Sequence, residues 1–94
     1  MDHIDDVTVE YIEDGHVVVE ELDKCILSKG AWSTIVFQYR EWDQRADAMG
    51  PVKYTIRRYR KVNGQLRQQA KFNISSEKQA RALIDALTGW LMEE

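Results

Sequence analysis

Cysteine is close to absent: Cys25 is the only one. No intramolecular disulfide can form, and the chain suits a reducing compartment. Histidine is nearly as scarce. His3 and His16 do not combine with each other or with Cys25 at the spacing of a zinc knuckle or a helical ligand pair, which argues against a structural metal site. There is no glycine-rich phosphate loop. Ser28, Ser75 and Ser76 read as turn and cap residues rather than nucleophiles. The carboxylate pairs Asp5-Asp6 and Glu20-Glu21 are sequence neighbours, and neighbours on a strand point to opposite faces. Neither pair makes a shared acid–base site, and Cys25 reads as a buried small apolar residue rather than a reactive thiol. The sequence thus predicts a protein that is not an enzyme and uses no cofactor and no metal. No apolar run approaches the roughly 20 residues that span a bilayer, and the N-terminus is acidic where a signal peptide is basic and then apolar. The expected location is the cytoplasm, without a membrane partner.

What is present is uneven in charge. The 94 residues suit one domain, and the formal net charge is −3, with an isoelectric point near 5.4. Residues 1–23 hold nine acids (Asp2, Asp5, Asp6, Glu10, Glu13, Asp14, Glu20, Glu21 and Asp23) and no Lys or Arg. Residues 24–94 hold all 13 Lys and Arg against seven acids, a net of +6. A polyanion responds to the local field rather than to the total. An acidic stretch that only adds solubility is the plainer reading of residues 1–23.

Proline occurs once, at Pro51, so turns must be sought elsewhere. Asp14-Gly15, Lys29-Gly30, Met49-Gly50-Pro51 and Asn63-Gly64 are the turn signals. Between them lie strand-like segments: Val7–Ile12 and Val17–Leu22, which flank Asp14-Gly15 as a hairpin, then Trp32–Trp42, Val52–Val62 and Gln65–Ile74. Asp43–Gly50 is polar and reads as a connecting loop. In the last segment Ala80, Leu83, Ile84, Leu87 and Leu91 follow helical spacing. Ser76 with Gln79 fits a capping box, Ser75 competes as the cap, and Gly89 weakens the helix near its end. The expected fold class is α+β: a curved antiparallel sheet of four or more strands followed by one C-terminal helix. Residues 1–14 form an acidic N-terminal extension that can share in a hairpin, and residues 15–94 form the ββββα domain.

Side chains alternate across a strand. In the third segment Ser33, Ile35, Phe37, Tyr39 and Glu41 share the face expected to meet the helix; Trp32, Thr34, Val36, Gln38, Arg40 and Trp42 share the other. In the next, Val52, Tyr54, Ile56 and Val62 make the apolar face, interrupted by Arg58 and Arg60; Lys53, Thr55, Arg57, Tyr59 and Lys61 make the opposite one. In the last strand Leu66, Gln68, Ala70, Phe72 and Ile74 oppose Gln65, Arg67, Gln69, Lys71 and Asn73. If the apolar faces align, one acid-free surface presents Arg40, Trp42, Lys53, Arg57, Tyr59, Lys61, Arg67 and Lys71. Such a surface suits single-stranded nucleic acid: cations neutralise phosphates and release counterions, and exposed aromatic rings stack on bases. The run Arg57-Arg58-Tyr59-Arg60-Lys61 also places charge on both faces near a hairpin tip. A half-buried sheet that shows polar residues to water, with edge cations that block aggregation, gives a similar pattern. Trp32 and Trp42 are equally suited to a core or a dimer interface.

The runs Val18-Val19-Glu20-Glu21-Leu22 and Leu27-Ser28-Lys29-Gly30-Ala31-Trp32 resemble the bacterial YdbC-like proteins, relatives of the transcriptional coactivator positive cofactor four. The resemblance continues through Tyr39-Arg40-Glu41-Trp42-Asp43, Lys53-Tyr54-Thr55-Ile56-Arg57 and Phe72-Asn73-Ile74-Ser75-Ser76-Glu77, and covers about residues 17–88. It implies a four-stranded curved sheet plus one helix, a homodimer, and binding of single-stranded DNA with little sequence preference, in transcription regulation, replication or repair. It further implies that Lys29, Trp32, Arg40, Trp42, Lys53, Arg57, Tyr59, Lys61, Arg67 and Lys71 contact nucleic acid, and that Leu83, Leu87 and Trp90 help build the dimer. The acidic stretch before Gly15 and the low isoelectric point depart from that pattern. That stretch is expected either to compete with nucleic acid for the basic face or to contact a basic partner; in the second case the protein is an interaction or regulatory module and the sheet its scaffold. Whether RNA or DNA is preferred is not legible in these residues.

Overall fold

Two dipeptides set the hairpins. Asp14 and Gly15 have φ of 52° and 75°, and Asn63 and Gly64 have φ of 52° and 78°. Both central residues of each turn are left-handed, the geometry whose twist matches paired antiparallel strands. The computed structural model describes residues 3–92; Asp2 of the acidic stretch lies outside them. A short 3₁₀ turn (Ile4–Asp6) is followed by β1 (Tyr11–Glu13), β2 (His16–Ser28), β3 (Trp32–Asp43), β4 (Ala48–Met49), β5 (Lys53–Val62), β6 (Gln65–Ile74) and α1 (Glu77–Leu91). The strands form one curled antiparallel sheet in the order β1-β2-β3-β5-β6, with β4 paired to the end of β3. The fold class is α+β, a sheet followed by one C-terminal helix.

Several elements differ from their sequence-based bounds. β2 runs on through Asp23–Ser28, a polar stretch accommodated by two irregularities, between Glu21 and Asp23 and between Ile26 and Ser28. Each bulge inserts an extra residue and lets the strand bend without losing its partner. Asp43–Gly50 is not only a loop: the Asp43 carboxylate accepts from the amide of Arg45 (2.9 Å), turning the chain so that Met49 pairs with Trp42. β1 is shorter than expected, because Val7 has left the strand for the core. The helix begins where its cap predicts. The Ser76 hydroxyl accepts from the Gln79 amide at 3.1 Å, and the Gln79 side chain accepts from the amide of Ser75, also at 3.1 Å. Both serines therefore take part in the cap.

Directly paired residues on antiparallel strands project to the same side, so the register defines two faces. On one lie the rows Ile26–Ile35–Arg57–Lys71 and Lys24–Phe37–Thr55–Asn73. On the other lie Cys25–Val36–Ile56–Phe72, Thr34–Arg58–Ala70 and Trp32–Arg60–Arg67, and Cys25, expected to be buried, is exposed there. Ile35 and Phe37 are fully buried, as expected, but the helix does not cover them. Val7 does, together with Ile4, Val9, Ile26, Tyr59 and Leu66. Residues 4–9 thus act as a strap across the first face. The strap is pinned by the Lys24 ammonium, which donates to the carbonyl oxygens of Asp5 and Val7 (2.8 Å for the latter), and by the Thr8 hydroxyl, which donates to Glu21 at 2.6 Å. Burying Ile35 and Phe37 contributes roughly 1.5–3 kcal/mol each. α1 lies over the second face, beside Val36, Tyr54, Ile56 and Ile74. No helix among the described residues is long and apolar enough to cross a membrane.

Candidate nucleic-acid interface

The register corrects the expected basic surface. Arg40, Trp42 and Trp32 share the helix face with Arg58, Arg60 and Arg67, whereas Lys53, Arg57, Tyr59, Lys61 and Lys71 share the strap face. The condition that the apolar faces of β3 and β5 align does not hold. Tyr54 and Ile56 pair with Gln38 and Val36, not with Phe37. Positive charge is therefore displayed on both sides of the β5–β6 ribbon.

That ribbon is the molecule's uncompensated region. No acidic residue occurs between Asp47 and Glu77. Of the ribbon's cations beyond Lys53, which Glu41 engages, Arg57, Lys61 and Lys71 lie on the strap face, and Arg58, Arg60 and Arg67 on the helix face. Among the described residues none of these six is ion-paired with a carboxylate. Arg57 is held partly by its neighbours: its Nε donates to the Thr55 hydroxyl at 3.2 Å and its Nη1 to the Gln68 amide oxygen at 2.9 Å. The other five are exposed. β6 is an edge strand, so no further strand shields this charge.

Trp32 joins the ribbon through the start of β3, directly opposite Arg60. The guanidinium carbons of Arg58 and Arg60 lie 4.5 and 5.3 Å from its ring centroid. Such contacts are attractive because the ring face carries negative quadrupole density. Trp32 remains 42% exposed, so an aromatic plane flanked by two arginines faces solvent. Lys29 stands in the neighbouring β2–β3 turn, 4.0 Å from the carboxylate of Asp5.

The remaining expected contacts sit elsewhere. Tyr59 is only 6% exposed and packs under the strap, so it cannot stack on a base. Burial pushes its phenol above the usual tyrosine range, an effect partly offset by the charge of Arg57. Arg40 is engaged by Glu20, through Nε at 2.9 Å and through Nη2. Lys53 donates to Glu41 at 3.0 Å, and this hydrogen bond raises its pKa above the ordinary lysine value. Trp42 meets His16 edge to face, with centroids 4.5 Å apart. These three residues cluster at the β4 end of the sheet, each already partnered. Arg58 and Arg60, seen in the sequence as interruptions of an apolar face, take their place. The signal that marks them is the acid-free stretch from residue 48 to 76.

The helix residues expected at a dimer contact are in view. No residue of α1 is buried. Leu87 and Trp90 are exposed, as are Ile84, Leu91 and Met92, whereas Leu83 is half-buried. Between α1 and the sheet runs an open groove of about 560 Å³, lined by Leu27, Val36, Ile56, Ile74, Leu83 and Leu87 among others. No group of three or more His, Cys, Asp and Glu placed to hold a metal ion occurs among the described residues. No protein-family model, curated protein or solved structure matches the chain.

Proposed function

We propose that this protein binds single-stranded nucleic acid along the β5–β6 ribbon, with little sequence preference, as a homodimer acting in transcription, replication or repair. The observation that carries the reading is the set of six cations, on both faces of one ribbon, without a carboxylate partner among the described residues and next to a solvent-facing tryptophan. Like charges gathered without counter-charges repel each other and destabilise a fold. A polyanionic partner removes that cost and gains entropy from counterion release. Trp32 supplies a stacking plane that tolerates any base. The ribbon is narrow and charged on both sides, so a flexible single strand can follow its edge, and only an unpaired base is free to stack on Trp32. The resemblance noted above points the same way.

The dimer part of the reading rests on the helix. Fifteen residues with no buried member and a row of large apolar side chains form a surface that monomeric proteins rarely leave open. The occupant we assign is a second copy of the chain, contacting Leu83, Leu87 and Trp90. The alternative, an interaction module with an acidic arm for a basic partner, is weakened by the strap: its apolar side chains and two of its carbonyls are already used inside the protein.

The test is fluorescence anisotropy of a labelled single strand of ~20 nucleotides and of the matching duplex, at two salt concentrations. Expected are tighter binding to the single strand and loss with salt. Failure to bind either at low salt overturns the nucleic-acid reading and moves the search to a basic protein partner. Light scattering of the same sample gives the oligomeric state, with Leu87→Arg expected to yield monomers.

A further inference from the structure

We infer that a small pocket where the strap meets the ribbon tip is a binding site for a phosphoryl group, and that His3 helps to complete it. The inference rests on the single-strand reading for its biological ligand, but not for its chemistry.

The pocket has a volume of about 180 Å³ and is lined by His3 and Ile4 of the strap, Lys29 and Gly30 of the β2–β3 turn, Ser33, and Lys61 with Leu66 of the ribbon. Three separate segments thus bring two ammonium groups and an imidazole to one opening. Its size is that of about six waters, which accommodates a tetrahedral oxyanion with part of its hydration. Lys61 has no carboxylate partner among the described residues. Lys29 is met only by Asp5, at 4.0 Å between two well-exposed side chains, a contact that contributes little in water and that an arriving anion can replace. Gly30 shapes the turn: its φ of 146° lies where a side chain is rarely tolerated, so the chain turns there without a Cβ. The ribbon tip also positions the pocket. Lys61 donates its amide to the Ala31 carbonyl at 2.8 Å, locking the end of β5 against the turn that carries Lys29.

Trp32 lies on the opposite face of β3 from Ser33. A strand whose base stacks on Trp32 can therefore pass over the end of the sheet and deliver a phosphate to the pocket. That phosphate is either an internal diester of the strand or a terminal monoester. The doubly charged monoester gains more from the two ammonium groups.

The experiment uses the full chain. Inorganic phosphate is titrated while amide resonances are followed, with sodium chloride at equal ionic strength as control. Expected are saturable shifts confined to His3, Lys29, Gly30 and Lys61, abolished in Lys29→Gln/Lys61→Gln. Shifts that never saturate, or that spread over all exposed cations, overturn the site. Single strands bearing a 5′-phosphate, a 3′-phosphate or no terminal phosphate then separate the sources. A several-fold preference for one phosphorylated end assigns a terminal monoester. Equal affinities, all lowered by Lys61→Gln with a salt slope reduced by about 0.7, assign an internal phosphate. Affinities untouched by Lys61→Gln overturn the site while leaving the ribbon reading intact. Phosphate shifts in a protein that binds no oligonucleotide overturn the ribbon reading and keep the site.

Discussion

The two ends of the sheet use the same residue types to opposite effect. At the β4 end Arg40 and Lys53 stand against Glu20 and Glu41, and Trp42 is engaged by His16. At the ribbon end Arg58 and Arg60 stand against Trp32, and among the described residues no carboxylate joins them. The first arrangement is self-sufficient: each charge has its counter-charge and the aromatic ring its neighbour. The second is open, because arginine on tryptophan satisfies neither the charge nor the ring's outer surface. Residue type and strand position did not separate these ends; the partner across the register did. A cation count identifies candidates, and pairing decides which of them remain available to a ligand.

Experiments that break this comparison should have unequal effects. The largest is charge reversal on the ribbon. Arg58→Glu/Arg60→Glu/Lys71→Glu should weaken single-strand binding on the order of 100-fold and flatten its salt dependence, whereas Arg40→Gln/Lys53→Gln should change it less than about twofold. Equal losses from both sets, measured by anisotropy, would remove the distinction between the ends. Next in size is Trp32→Ala. Stacking is worth roughly 1–3 kcal/mol per base, so about a tenfold loss is expected, against almost none for Trp42→Ala in a variant shown by circular dichroism to be folded.

Smaller effects sharpen the contrast from the stability side. Glu20→Gln removes the counter-charge of Arg40, a half-exposed pair, and should cost less than about 1 kcal/mol in urea unfolding. Its single-strand affinity should rise slightly, because one more cation is freed. The smallest effect concerns Tyr59. Its phenol titrates above the ordinary value of 10.0 in the folded chain because burial favours the neutral form. The unfolded chain loses that proton first, so the contribution of Tyr59 is fully present below about pH 10 and is lost as pH rises through the higher folded value. Tyr59→Phe should therefore unfold less readily than the parent as pH increases above 10, by urea midpoints.

Local chemistry was legible in the sequence. Asp14-Gly15 and Asn63-Gly64 announced their turns, Ser76 with Gln79 announced the helix start, and the bounds of β6 agree at both ends. The alternation in β3 identified Ile35, Phe37 and Tyr39 as one buried row. Which row of β5 lies beside it was not legible, and the reason is physical. The sheet has an element on each side, the strap packed on one face and the helix standing across an open groove on the other, so β5 carries apolar residues of both parities. Tyr54 and Ile56 serve the helix face, while Thr55 and Tyr59 serve the strap face. A one-sided sheet would have given a single answer. The role of Val7 was hidden for a related reason: its neighbours Asp5, Asp6 and Glu10 made the segment look like a soluble tail. Here the charges point outward from a segment whose alternate residues reach the core. Truncating the acidic stretch would therefore uncover Phe37, and Asp5→Asn is the cleaner probe of any competition with nucleic acid.

The strap also orders events in time. Val7 precedes in the chain most of the residues packed around it, among them Phe37, Tyr59 and Leu66, and Leu66 belongs to β6, the last strand of the sheet. On the ribosome the core cannot close until β6 has emerged. Until then Val7, Ile35 and Phe37 are open to water and to other chains. Closure then brings together residues far apart in sequence, the kind of contact that slows folding. In a protein only 17 Å across its thinnest dimension, Phe37 has no cover on this face, among the described residues, other than residues 4–9 and their neighbours, so the two ends of the sheet's sequence close the core together.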